Sequence, residues 1–213
     1  VFQPNYRGSI GHAWKFSEED DWDFAKMHQD VTDGVKAVLK TGLIDRNRVA
    51  IMGASFGGYL ALTGATGEGE LYRCAVSMAG VFDWEMIIKA KRDSDAFISH
   101  DYLLRKLGNP KLQKEKFDAL SPINRVQQIK IPVFVAHGIN DRVATIDQSA
   151  ALVNELEKHK IPYEKMFKKG ETHGFHKLEN RVEYYTAIEA FLAKHLAPHA
   201  NTAATVPAAT GGI

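Results

Sequence analysis

The chain has 213 residues, 45% hydrophobic and 25% charged, the balance of an ordinary globular domain with room for a sizeable core. Its 27 Lys and Arg stand against 26 Asp and Glu, a formal net charge of +1, so neither nucleic acid nor an anionic membrane surface finds an electrostatic hold. No apolar stretch approaches the about 20 residues of a membrane span, and the opening VFQPNYRGS lacks the basic-then-apolar pattern of a signal peptide.

In chain order, Val1–Asn5 reads as the end of a strand. Residues 21–40 read as an amphipathic helix, with Phe24, Met27, Val31, Val35 and Val38 at steps of three and four, and Gly42 as its stop. VAIMGA from Val49 reads as a strand, followed by a helix from Ser55 to about Thr66. CAVSMAG from Cys74 is a second strand. Cys74 is the only cysteine; it excludes an internal disulfide, suits a cytoplasmic location and reads as a buried small hydrophobe. PVFVAHG from Pro132 is a third strand, and a helix from about Ile146 to His159 puts Ala150, Val153 and Leu156 on one face. PYEKMF from Pro162 is a fourth strand. A last helix from about Asn180 to Leu196 turns Val182, Tyr185, Ile188, Phe191 and Leu192 inward.

Strands alternating with helices, and strands that are continuously apolar, predict an α/β fold with a mostly parallel sheet covered on both faces. The segment at about 83–122 breaks the rhythm. Its charges and its aromatics Trp84, Phe97 and Tyr102 read as a helical insertion over one end of the sheet. The domain is placed at residues 1–196, and the small-residue tail 197–213 is expected to be disordered.

The sequence RVAIMGASFGGYLAL holds Ser55 between Gly53 and Gly57, after a predicted strand and at the start of a predicted helix. A nucleophile elbow needs that arrangement, and side chains at Gly53 and Gly57 are expected to collide with the neighbouring chain. A phosphate-binding glycine loop is the rival reading, but it wants a Lys or acidic partner that is missing here. Serine needs a base. His173, in KKGETHGFHKL, lies between the fourth strand and the last helix, with Gly174 freeing the loop. It forms an H-x-x-H pair with His176, but no third ligand stands at a fixed offset, so no metal is expected. Asp141, just past the third strand in VFVAHGINDRV, is the carboxylate that would orient the imidazole. The order Ser55, Asp141, His173 is that of α/β-hydrolases.

Together with NYRGSIG at Asn5, DRNRVAIMGASFGGYLAL at Asp45, DW at Asp83, LGNP, SPINR, HGINDRVATIDQS at His137 and GETHGF at Gly170, the chain resembles the catalytic domain of the prolyl oligopeptidase family of serine peptidases, acylaminoacyl-peptidase and dipeptidyl-peptidase relatives included. The resemblance covers almost everything before the tail. It implies an α/β-hydrolase fold, Ser55 as nucleophile, His173 as general acid and base, Asp141 as its orienter and the Phe56 backbone N–H as an oxyanion donor. It departs at Ala144 and Thr145, where the family often has Val-Pro. In the family NYRGS ends the fourth strand, and the second oxyanion donor follows the third. The resemblance therefore implies an N-terminally truncated domain whose first strands are missing; the competing idea is that Tyr6 or other local groups complete the oxyanion hole. The expected function is a serine-type peptidase acting on short peptides or acyl-peptides through an acyl-enzyme, without cofactor. The alternatives are a carboxylesterase on small acyl esters and an inactive truncated hydrolase domain. Trp84, Val143 and the insertion are the candidate walls of the acyl pocket.

Overall fold

The structure is a computed structural model and describes residues 1–11, 15–17, 20, 22–92 and 99–197. Four short strands form its frame: β1 (Ala50–Ala54), β2 (Cys74–Met78), β3 (Val133–Gly138) and β4 (Tyr163–Lys168), in the order β1-β2-β3-β4. All three pairings are parallel, with Gly53 opposite Ser77, Met78 opposite Ala136 and Gly138 opposite Lys168. Every residue of β2 and β3 is buried, as apolar strands with covered faces require.

The helices are α1 (Phe24–Lys40), α2 (Phe56–Gly67), α3 (Trp84–Lys91), α4 (His100–Leu107), α5 (Lys114–Leu120), α6 (Ile146–Lys158) and α7 (Leu178–Leu196), with a 3₁₀ segment at Pro122–Gln128. Two apolar clusters divide the core. Ala75, Val133 and Val135 share one cluster with residues of α1 to α6, among them Phe24, Tyr59, Trp84 and Leu152. Cys74, Val76, Phe134 and Ala136 share the other with Tyr184, Ile188 and Phe191 of α7. Alternation along β2 thus sends Cys74 and Val76 to one face and Ala75 to the other. This is the α/β-hydrolase arrangement, with α3, α4, α5 and the 3₁₀ segment forming the insertion.

Two expectations change. Val1–Asn5 is not a strand. Pro4 lacks a donor, the Phe2 ring lies against Gly34 of α1, and Arg7 is clamped to Asp30 at 2.7 Å and Asp20 at 3.0 Å, which holds this segment on α1. Among the described residues, the outer edge of β1 therefore carries no partner strand, and Met52 there is 53% exposed. In α7 the buried stripe is Tyr184, Ile188 and Phe191, while Val182 and Tyr185 are exposed. Apolar residues lie on more than one side of this helix, so periodicity did not choose the inward side; a single contact face against the sheet did. Phe97 and the tail from 198 onward lie outside the described residues.

The remaining elements follow local rules. Asp23 caps α1 by accepting from the Lys26 N–H, and Asp83 caps α3 by accepting from the Met86 N–H. Gly42, with φ +73°, ends α1. Cys74 is fully buried, and burial pushes its thiol up to about 11.

Candidate active site

β1 runs directly into α2 through Ser55, whose φ of 55° and ψ of −120° put a non-glycine residue in a strained conformation. Such a residue costs about 1–3 kcal/mol and persists only where its surroundings hold it. Here the Ser55 N–H donates to Met78 O at 2.8 Å, and its carbonyl accepts from the Tyr59 N–H at 3.0 Å. The turn is so tight that a Cβ on Gly53 would lie 2.3 Å from the Gly57 carbonyl. The expectation for Gly57 is corrected: a Cβ there meets nothing within 4 Å. Gly57 supplies the backbone that crowds Gly53, and its own missing side chain faces open space.

The loop after β4 brings His173 to this turn. Its Nε2 accepts from Ser55 Oγ at 2.8 Å, and its Nδ1 donates to Asp141 Oδ2 at 2.7 Å. The three residues picked out in the sequence thus form one hydrogen-bonded chain across 118 positions. Both ring nitrogens of His173 are engaged, whereas His176 turns to Thr172 Oγ1 at 2.9 Å. The H-x-x-H pair therefore divides between two separate sets of partners.

Asp141 is buried at the end of β3 and accepts four hydrogen bonds. Oδ1 takes the N–H groups of Val143 at 2.7 Å and Ala144 at 3.1 Å. Oδ2 takes His173 and also Nε2 of His137 at 3.1 Å. Burial raises the pKa of this carboxyl. The bonds from His137 and His173, the His173 charge and the Val143 N–H outweigh burial and hold it well below the usual carboxylate range. The departure at Ala144 leaves this loop intact, because the bond uses the backbone N–H and not the side chain.

Several contributors gave no sequence signal. Glu171 is buried and accepts from the N–H groups of His176 at 2.7 Å and Lys177 at 3.1 Å and from Asn180 Nδ2 at 2.5 Å. It thereby folds the His173 loop onto the start of α7. Gly138 lets that loop approach: a Cβ there would sit 2.0 Å from Thr172 O. The Asn140 N–H donates to Glu171 O at 2.9 Å and ties the Asp141 and His173 loops together. Gln148 of α6 accepts from the N–H groups of Phe82 and Asp83 and anchors the start of α3. Only a three-dimensional arrangement reveals these roles, since each residue type is ordinary at its position.

Beside Ser55 opens an apolar cavity of about 360 Å³. Tyr6, Trp22, Phe24, Phe56 and Trp84 line it, together with Val143 and the α3 and α4 residues Ile87, Lys91 and Leu103. The ring centroids of Phe24 and Trp84 are 4.6 Å apart, and those of Phe24 and Phe56 5.0 Å. Lys91 is buried at this wall and donates from Nζ to Arg142 O at 2.7 Å, bracing the Asp141 loop. Burial lowers its pKa, opposed by the charge of Asp141. Phe56 is the first residue of α2, so its N–H belongs to the first turn, which has no intrahelical acceptor.

Comparison with known proteins matches residues 1–199 to the prolyl oligopeptidase family. The chain belongs to that family. It is 31% identical over 199 residues to dipeptidyl aminopeptidase BIII of Pseudoxanthomonas mexicana, covering 92% of this chain and 29% of that protein. It is 29% identical over 215 residues to the acylamino-acid-releasing enzyme of Mus musculus, covering 92% and 27%. Among solved structures, the acylaminoacyl peptidase of Pyrococcus horikoshii superposes with a TM-score of 0.77 at 24% identity, over 92% of this chain and 32% of that one. A puromycin-hydrolyzing peptidase of Mycobacterium tuberculosis superposes at 0.72 with 27% identity, over 81% and 25%. The chain thus spans less than a third of the length of each of these relatives. Among the described residues no helix is long and apolar enough to cross a membrane.

Proposed function

We propose that this prolyl oligopeptidase family chain carries the acyl-transfer machinery of a serine peptidase, with Ser55 as nucleophile, His173 as general acid and base, and Asp141 as its orienter. The observation that carries the reading is the unbroken chain from Ser55 Oγ through His173 to Asp141 Oδ2. As Ser55 Oγ attacks a carbonyl carbon, its proton passes to His173 Nε2, and the imidazolium forms against the Asp141 carboxylate. The carbonyl oxygen becomes an oxyanion facing the start of α2, where the Phe56 N–H donates to it. His173 then returns the proton to the leaving amine, and the acyl-enzyme is left on Ser55. Water, deprotonated by the same imidazole, releases the acid.

The adjacent cavity fits an apolar acyl-side group, because its walls are mostly aromatic and aliphatic, with Ser55 and Lys91 as polar members. Relatives named as dipeptidyl and acylamino-acid peptidases support short peptides or acyl-peptides as substrates. A cytoplasmic setting rests on cysteine usage, with one buried thiol in the chain. The test is turnover of N-acyl peptide anilides beside matched acyl esters. Cleavage of the anilide that disappears in Ser55→Ala supports the peptidase reading. Cleavage of esters alone would make the protein an esterase, and cleavage that survives Ser55→Ala would remove Ser55 from the chemistry.

A further inference from the structure

His137 is fully buried, one residue before the end of β3, and its ring is bound on both sides. Nε2 lies 3.1 Å from Asp141 Oδ2 and 2.8 Å from Ala144 O. Neither of those oxygens carries a hydrogen, so Nε2 must carry the proton and donate it. Nδ1 lies 2.6 Å from Ser149 Oγ on α6, a hydroxyl able to donate to a bare ring nitrogen. All the ring's hydrogen-bonding capacity is then met by the neutral Nε2–H tautomer.

We infer that His137, locked by Ser149, is a positioning residue that fixes Asp141 Oδ2 for the His173 imidazole. The inference rests on the acyl-transfer reading above. The backbone N–H groups of Val143 and Ala144 hold Oδ1 only, and a carboxylate held by one oxygen can still swing the other. His137 removes that swing with a second hydrogen bond to Oδ2. It also shares the charge of Oδ2, so that His173 meets an acceptor already partly satisfied. The other groups facing Asp141 are His173 from the loop after β4 and the Lys91 cation from α3. Among the described residues, the other side chain hydrogen-bonded to the His137 ring is Ser149. The bond from His137 counts strongly among the contacts that keep the carboxylate ionised in its buried setting.

The test uses the full chain as wild type, His137→Leu, His137→Gln and Ser149→Ala, each checked for native fold by circular dichroism. Gln is the informative replacement, because its Nε2 stands as many bonds from Cβ as the histidine Nε2 and keeps a donor. Two readouts are taken: the rate of Ser55 phosphonylation by a fluorophosphonate across pH, and ¹⁵N and low-field proton NMR of the histidines. His137→Leu is expected to slow labelling about tenfold to a hundredfold, the weight of one hydrogen bond to a charged acceptor. Its acid limb should move to higher pH, because an Oδ2 relieved of one donor holds the imidazolium more tightly. His137→Gln should recover most of the rate and return the limb. Ser149→Ala, which spares the ring, should slow labelling about fivefold.

Equal slowing by Leu and Gln with an unmoved limb would reduce His137 to packing and overturn the inference, as would a wild-type rate in His137→Leu. The wild-type ¹⁵N spectrum tests it without any variant: Nε2 protonated and Nδ1 bare supports it, and the opposite tautomer overturns it. If wild-type Ser55 takes no label, the acyl-transfer reading fails separately. The low-field proton between His173 and Asp141 then decides: a changed position or line width in His137→Leu supports the positioning role, and its persistence unchanged overturns it.

Discussion

Asp141→Asn changes one atom and should disable the site through a tautomer. In the wild type, Oδ1 accepts two backbone N–H groups and Oδ2 accepts two imidazole N–H groups. An asparagine keeps its carbonyl oxygen toward Val143 and Ala144, which leaves its NH₂ facing His137 and His173. Donor then meets donor. His137 Nε2–H retains Ala144 O as an acceptor at 2.8 Å and stays in place. His173 relieves the conflict by moving its proton to Nε2, where it points at Ser55 Oγ and accepts nothing. A base in the wrong tautomer costs about 10⁴ in rate in a comparable triad, or about 5.5 kcal/mol of transition-state stabilisation. The charge-assisted bond from His137 is lost, and the one to His173 is exchanged for a neutral amide-to-imidazole bond, so stability should fall by about 2 kcal/mol. In a domain of this size that lowers Tm by about 6 °C. The assay is the second-order rate of Ser55 phosphonylation at pH 7–8, with thermal melting in parallel. A folded Asp141→Asn protein that labels within tenfold of wild type would refute the tautomer argument.

Gly138→Ala should misplace the loop carrying His173, since the added Cβ would lie 2.0 Å from Thr172 O; labelling is expected to fall at least about a hundredfold, and a wild-type rate would show that the loop yields freely. Glu171, hydrogen-bonded by Asn180, His176 and Lys177, has its pKa held below the ordinary value of 4.5. A carboxyl depressed in the folded state adds stability that is complete above 4.5 and is lost as pH falls through the depressed value. The stability gap between wild type and Glu171→Gln, measured by urea titration, should therefore be full at pH 7 and close on acidification below 4.5; a gap that widens in acid would contradict the assignment. Cys74, buried and with its thiol pushed up to about 11, should resist a thiol-specific disulfide reagent at pH 8 in the native protein and react at once in denaturant.

The sequence made the frame of the fold and the candidate triad legible for different reasons. β2 and β3 were the plainest to read, because buried parallel strands demand continuous small and apolar residues, whereas β4, with Glu164, Lys165 and Lys168 and no buried residue, carries that signal weakly. Ser55, Asp141 and His173 were legible because each sits at the carboxyl end of a strand with a distinctive residue type. Val1–Asn5 misled because strand-like composition says nothing of neighbours; the Arg7 clamp to Asp30 and Asp20 decided its place. Val182 and Tyr185 misled because a helix with apolar residues on several sides leaves its rotation to the sheet it meets. His137, Glu171 and Gln148 were silent because their importance lies in what they touch. A buried histidine at the end of a strand looks like packing until its nitrogens are found against Asp141 and Ser149.

The central claim is that Ser55 is a nucleophile activated by His173. Incubation of the folded chain with a fluorophosphonate, followed by peptide mass spectrometry, tests it most directly. The account predicts one phosphonyl adduct, on Ser55, abolished by Ser55→Ala and nearly abolished by His173→Ala. A folded chain that takes no adduct, or one whose Ser55 labels as fast without the His173 imidazole, would contradict it.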